Sequence, residues 1–226
     1  MSVSDWKARE KEQRRSDIVE CAKKLFFTRG FDNVSMDDIA KEIRLGKATL
    51  YRYFPSKESL FFAVVLRGAQ IQHSMVAEAI KNTRTGLERL QAAGTASVEF
   101  KKQHPEYSQI MSYYHSGRFD LRDLSNGSKG APGNGTDMSD AVAVAEISRL
   151  GAEAFETSCD AILKGREDGT IRPGMDETEL AVLLSVLVSS IVNVSPEIKC
   201  LMEYKGIAHE QFIDDARAFI YQNIRP

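Results

Sequence analysis

Lys47, Ala48, Thr49, Tyr51, Arg52 and Tyr53 fill six of seven consecutive positions, and no acid interrupts them. Each is a residue type that can act on a nucleic acid. Arg52 can make paired hydrogen bonds to a guanine edge, and Thr49 can bond a base or touch a thymine methyl. Ala48 is small enough to let a backbone approach base edges. Tyr51, Tyr53 and Lys57, a little further on, can reach phosphates, and Lys47 adds a positive charge. Ser35, which opens the preceding segment, completes the candidate contact set. The plain alternative is an ordinary solvated helix face, since mixed polar faces are common.

These side chains need an element that presents them together. The stretch Ser35–Phe54 reads as two short helices with a tight corner. Ser35 is a good N-cap, and Asp37 and Asp38 place negative charge in the first turn. Ile39, Ala40 and Ile43 recur at helical spacing. Arg44-Leu45-Gly46 breaks that pattern, and a second helix runs from Lys47 to Phe54, closed by Pro55. Leu50 and Phe54, four apart, are its buried side. Two helices joined by a short corner, the second polar and basic, describe a helix-turn-helix. Ahead of it, Ile18, Ala22, Leu25 and Phe26 mark a first helix over Ser16–Arg29, stopped by Gly30. Residues 1–13 are either a frayed tail or an extension of that helix, or a basic arm.

With these residues in view, the segment from about Arg15 to Leu60 resembles the DNA-binding domain of the TetR family of transcriptional repressors. Ala22, Leu25, Phe26, Gly30 and Phe31 match, as do Asp38, Ile39 and Ala40. So do the run Lys47–Phe54 and then Lys57, Glu58 and Leu60. Two positions depart from the family pattern. Arg44 stands where the family usually has Gly, at a cost of about 1 kcal/mol if its backbone is left-handed, and Gly46 stands where it usually has Ser. The resemblance implies an all-α protein, with a three-helix DNA-binding domain over 1–55 and a larger helical ligand-binding and dimerisation domain over 56–226. It implies a repressor that binds a palindromic double-stranded operator as a homodimer, in the cytoplasm at the nucleoid, and is released by a small-molecule inducer. In that family the last long helices pair across the two-fold axis, here 139–166 and 176–195. A few TetR-like proteins instead organise DNA or recruit partners without an inducer, and that is the alternative.

The rest of the chain supports an all-helical expectation on its own pattern. Helices are expected over 56–81, 86–103, from Pro105, over 138–165, 177–194 and 209–223, and no period-two strand pattern occurs. The 177–194 segment is apolar nearly all round, which calls for burial on several sides and, in a body this size, suggests a subunit interface. Ala141, Ala143, Ala145, Ala152, Ala154 and Ala161 would let a neighbouring helix come close. The stretch 125–137, with four Gly and one Pro, is a connector or a lid. Phe100, Met111, Tyr114, Phe119 and Phe155 are the candidate walls of a pocket for an apolar or aromatic effector, although any one of them could simply fill a core.

Composition narrows the classes further. Net charge is −2, but residues 1–60 hold 13 Lys/Arg against 10 Asp/Glu, while the remainder holds 17 against 22. A small basic domain on an acidic body fits specific rather than broad nucleic-acid binding. The three cysteines, far apart and odd in number, suggest neither a disulfide framework nor a zinc site. His104, His115 and Cys159 are a poor metal set because Pro105 breaks the helix between the histidines. No metal, cofactor or catalytic residues are expected, since no phosphate loop, dinucleotide fingerprint, zinc-protease or nucleophile-elbow motif occurs. No membrane partner is expected either. The greasiest stretch, 180–194, is interrupted by Ser185, Ser189, Ser190 and Asn193.

Overall fold

The structure, a computed structural model, describes residues 3–119 and 138–226. The 125–137 connector or lid lies outside the described residues. Ten helices occur among them: α1 (Val3–Arg29), α2 (Met36–Glu42), α3 (Lys47–Tyr53), α4 (Lys57–Ile80), α5 (Gly86–Gln103), α6 (Pro105–Tyr114), α7 (Met138–Glu167), α8 (Glu177–Val192), α9 (Pro196–Tyr204) and α10 (His209–Asn223). No strand is present among the described residues.

Two features differ from expectation, the start of α1 and the presence of α9. The first helix begins at Val3 rather than Ser16. Its first half is rich in Lys, Arg, Glu and Gln, which favour helix without needing a core, and Gln13 bonds Asp17 one turn on at 2.8 Å. Helix α9 lies between the two expected helices 177–194 and 209–223, where the sequence pattern predicts none. Pro also starts helices, since its missing N–H falls where none is needed. Here it sits at the first helical position, behind Ser195, whose hydroxyl accepts from the Ile198 amide. Helix α8 buries one side within this chain and leaves apolar side chains on the others exposed. Leu180, Ala181 and Leu184 are buried, but Val182, Leu183 and Val186 are 41–55% exposed.

The chain forms two compact units, residues 1–72 with 100–151, and residues 73–99 with 152–226. In the first, Ile18, Ala22, Leu25, Phe26, Ile39, Leu50 and Phe54 make the core of the three-helix head. Helix α4 adds Leu60, Phe61, Val64 and Val65, all at 0–1% exposure. That helix is long and apolar enough to cross a membrane by length and composition, and α8 with α9 passes the same test only as a pair bent by 64°. The apolar residues of α4 named above are consumed by the core of the first unit. Rings from α4 and from the segments that follow α1 and α6 meet there: Phe31 and Phe61 are 4.8 Å apart, and Phe119 stacks on Phe61 at 5.0 Å.

The second unit is built on Leu87, Leu90, Ile162, Ile171, Ala181 and Tyr221. Small residues bring α5 against α7. A Cβ on Gly86 would lie 2.0 Å from the Gly165 nitrogen and 2.3 Å from the Ala161 oxygen, so the two backbones touch where the Ala-rich helix was expected to allow it. Asp168 closes the same corner by accepting the Gly86 amide at 2.7 Å.

Candidate DNA-binding site

The corner that aims α3 is set by local capping. The Ser35 hydroxyl accepts from the Asp38 amide at 3.1 Å, and the Asp38 carboxylate accepts from the Ser35 amide at 2.9 Å, a reciprocal capping box. The Ser35 hydroxyl also donates to Asp38 at 2.5 Å. These bonds hold the Asp38 carboxyl below its ordinary value of 3.8, the hydroxyl contributing most and the Ser35 amide next.

Helix α2 ends in a left-handed cap. Arg44 has φ +55°, the one positive φ outside glycine among the described residues. Its amide donates to Lys41 O at 3.2 Å and the Leu45 amide to Ala40 O at 2.9 Å, which is the paired pattern of a Schellman ending. Gly46 then serves as the N-cap of α3 in extended backbone, with no side-chain bond. Lys47 reaches back to pair with Asp37, tying the first turns of the two helices.

Leu50 and Phe54 anchor α3 at 0% and 2% exposure. Lys47, Ala48, Tyr51 and Arg52 are exposed and Thr49 and Tyr53 half-buried, so the expected contact face is open and carries no acid. Ser35 is spent on the cap of α2, which leaves that helix's start rather than its hydroxyl as the feature offered outward. Lys57 is more engaged than a free phosphate ligand. Its ammonium donates to Phe31 O at 2.9 Å and lies 4.2 Å from the centre of the Phe31 ring. It borders an open cleft of about 550 Å³ that is also lined by Asp32, Ser35, Asp38 and Tyr51.

Other ties were not legible in advance. Tyr107 on α6 donates to Glu20 on α1 at 2.5 Å, and burial followed by that bond raises the phenol well above its usual range. Ser59 on α4 donates to Asp140 on α7 at 2.9 Å with both buried. Such long-range pairs carry no sequence spacing that could announce them.

The expected pocket residues fall into two groups. Phe100, Met111, Tyr114 and Phe119 belong to the first unit, where Tyr114 and Phe119 join the ring cluster at 6.3 Å. Phe155 packs against the core of the second unit. Phe100 and Tyr114 are 1–2% exposed, and the Tyr114 hydroxyl is buried without a hydrogen-bond partner. Among the described residues no group of three His, Cys, Asp or Glu is placed to hold a metal.

Residues 18–64 match the family described as bacterial regulatory proteins, tetR family. The chain is 33% identical over 90 residues to the HTH-type transcriptional activator FasR of Mycolicibacterium smegmatis, covering 40% of this chain and 41% of that protein. The chain thus spans about two fifths of that relative's length. Two solved structures share the fold over 94% of this chain. The ketosteroid transcriptional regulator KstR2 of Mycobacterium tuberculosis has a TM-score of 0.65 at 19% identity, over 95% of its length. AibR in complex with isovaleryl coenzyme A and operator DNA has a TM-score of 0.64 at 22% identity, over 98% of its length. Residues 18–64, which hold the helix-turn-helix, thus match the tetR family of bacterial regulatory proteins, and the chain as a whole shares the all-helical fold of these two solved structures.

Proposed function

We propose that this chain is a ligand-responsive transcription regulator that binds a near-palindromic operator as a homodimer and is released from it by a small molecule. The observation that carries it is the exposed, acid-free face of α3, fixed by two buried anchors and a capped corner. Lys47, Ala48, Thr49 and Arg52 lie in the groove, and Tyr51, Tyr53, Lys57 and the start of α2 at Ser35 meet the backbone. The functional division falls at 55/56, with the head ahead of it. The protein is a regulator and not an enzyme, and it works in the cytoplasm.

The dimer forms through 139–166 and 176–195. In support, Val142, Leu163, Val182, Leu183 and Val186 are 41–65% exposed large apolar side chains in those two segments. Covering such side chains is favourable by about 25 cal/mol per Å². Half-sites then lie about one DNA turn, or a multiple of it, apart.

The effector is an apolar or aromatic molecule taken among Phe100, Met111, Tyr114 and Phe119, with one polar group that satisfies the Tyr114 hydroxyl. Leaving that hydroxyl buried and unpaired costs about 1–3 kcal/mol, so a partner for it is a natural source of affinity. AibR, crystallised with both an acyl coenzyme A and operator DNA, lends the idea of a two-ligand protein on this fold. Such a ligand acts only through its different affinity for two states, and α4, leaving the head at Lys57, is the element it would bias.

The test is a thermal-shift screen of small molecules, followed by calorimetric titration of a hit with and without operator. Coupling of about 1–3 kcal/mol predicts operator binding weakened roughly 5- to 150-fold, and ligand binding weakened by the same factor. Equal ligand affinities in the two titrations would refute the switch and favour a DNA-organising or partner-recruiting role.

A further inference from the structure

Helix α1 does not end where the three-helix head ends. Residues 4–17 are all exposed, about three to four helical turns beyond the core at 3.6 residues per turn. The order of residues on this extension is not random. At about 100° per residue, Lys7, Lys11 and Arg14 continue the same stripe as Ile18, Ala22 and Leu25. The stripe that is apolar inside the head becomes cationic once it leaves it. Of the acids of this stretch, Asp5 and Glu12 stand about 130° or more from its centre, Asp17 about 90° and Glu10 about 70°.

A second observation fixes where that stripe points. Arg15, beside it, holds its guanidinium 4.8 Å from the centre of the Phe54 ring, and Phe54 is the C-cap of α3. The extension therefore leaves the head at the C-terminal end of the recognition helix, on the side of α1 that faces it. Lys7, Lys11 and Arg14 have no ion pair among the described residues. The family match begins only at Ile18, so the stripe lies outside the shared segment.

We infer that Lys7, Lys11 and Arg14 form a helical arm that binds the DNA sugar–phosphate backbone flanking the groove occupied by α3. From Lys7 to Arg14 the arm rises about 10 Å at 1.5 Å per residue, enough to follow one strand across neighbouring phosphates. Its contacts are to charge and not to base edges, so they add affinity equally on every sequence. The inference rests on α3 being the DNA-reading helix.

The experiment measures DNA affinity by fluorescence anisotropy from 50 to 200 mM salt, on a selected operator and on random duplex. Four proteins are compared: the unaltered chain, the triple variant K7Q/K11Q/R14Q, R9Q on the opposite face of α1, and T49A on α3. Losing three phosphate contacts lowers the log–log salt slope by about 2.7. Across that salt range the unaltered chain then loses about 40-fold more affinity than the triple variant. The triple variant should weaken both duplexes by one factor, R9Q should lower the slope by less than one contact's worth, and T49A should change the ratio between the duplexes. An unchanged slope in the triple variant, with T49A still altering the ratio, would overturn the arm and leave α3 standing. A slope loss in R9Q as large per charge as in the triple variant would also overturn it, because net charge and not the stripe would be responsible. No salt-dependent binding by the unaltered chain would overturn the arm together with the α3 reading.

Discussion

Position 44 offers a direct measure of what the corner of the helix-turn-helix costs. Arg44 closes α2 with φ +55°, where its Cβ crowds the following carbonyl. That conformation costs a residue other than Gly roughly 1–2 kcal/mol. Glycine removes the clash but gives the unfolded chain more freedom, which returns about 0.4–1 kcal/mol. Arginine also places a cation at a helix C-terminus, a favourable term of about 0.3–1 kcal/mol. Comparing Arg44→Ala with Arg44→Gly cancels the charge and keeps only the backbone difference. The glycine variant should be about 0.5–1 kcal/mol more stable than the alanine variant, from the strain less the entropy. For a chain of this size that is a rise in melting temperature of about 1–4 °C. Urea unfolding with unchanged m reads the difference globally, and hydrogen exchange of the Leu45 amide, which bonds Ala40 O at 2.9 Å, reads it locally. Equal stability of the two variants would show that the corner is not strained and that the capping argument is wrong.

Lys57→Ala removes both the bond to the Phe31 carbonyl and a candidate phosphate contact. It should lower stability by about 1–2 kcal/mol, the lower part of the range for charged hydrogen bonds because the group is half-exposed. It should also lower the salt slope of DNA binding by about one; a slope identical to the unaltered chain's would confine Lys57 to the fold. Val186→Glu places a carboxylate on a side chain 55% exposed in one chain, so the monomer should fold while the dimer, which must desolvate the charge, is lost by several kcal/mol. Analytical ultracentrifugation showing an intact dimer for that variant would exclude this face. Asp38 titrates with the cap of α2: its folded pKa lies below 3.8, so its stabilisation is complete above 3.8 and disappears as pH falls through the folded value. The NMR shift of the Ser35 amide, which donates to Asp38, should show a midpoint below 3.8, and a midpoint at or above 3.8 would contradict the capping box.

The head was legible because its signals are local. Ser35 three residues ahead of Asp38, Gly46 ahead of Lys47, and Leu50 with Phe54 on one side are spacings that helix geometry alone interprets. Arg44 could be recognised as a strained corner only because it stands where the family that this segment resembles usually has Gly. The α1 extension was harder to assign, because strong helix formers without an apolar face look the same as a frayed tail. Helix α9 was missed because Pro196 signals both a stop and a start, and only Ser195 before it tips the balance. The ties that organise the first unit, Tyr107 to Glu20 and Ser59 to Asp140, join residues 87 and 81 positions apart, and no periodicity encodes such pairs. The five aromatic and Met residues expected to act together divide between two units because apolar character specifies burial, not which core.

The most direct test of the account is selection of bound duplexes from a random library by the unaltered chain, repeated with Thr49→Ala and Arg52→Ala. The expected result is enrichment of a two-fold symmetric sequence with half-sites about one helical turn, or a multiple, apart. Each variant should relax preference at its own base position, by about 1–3 kcal/mol for a lost bidentate contact. Enrichment of the same sequence, with the same stringency, by all three proteins would contradict a base-reading role for α3.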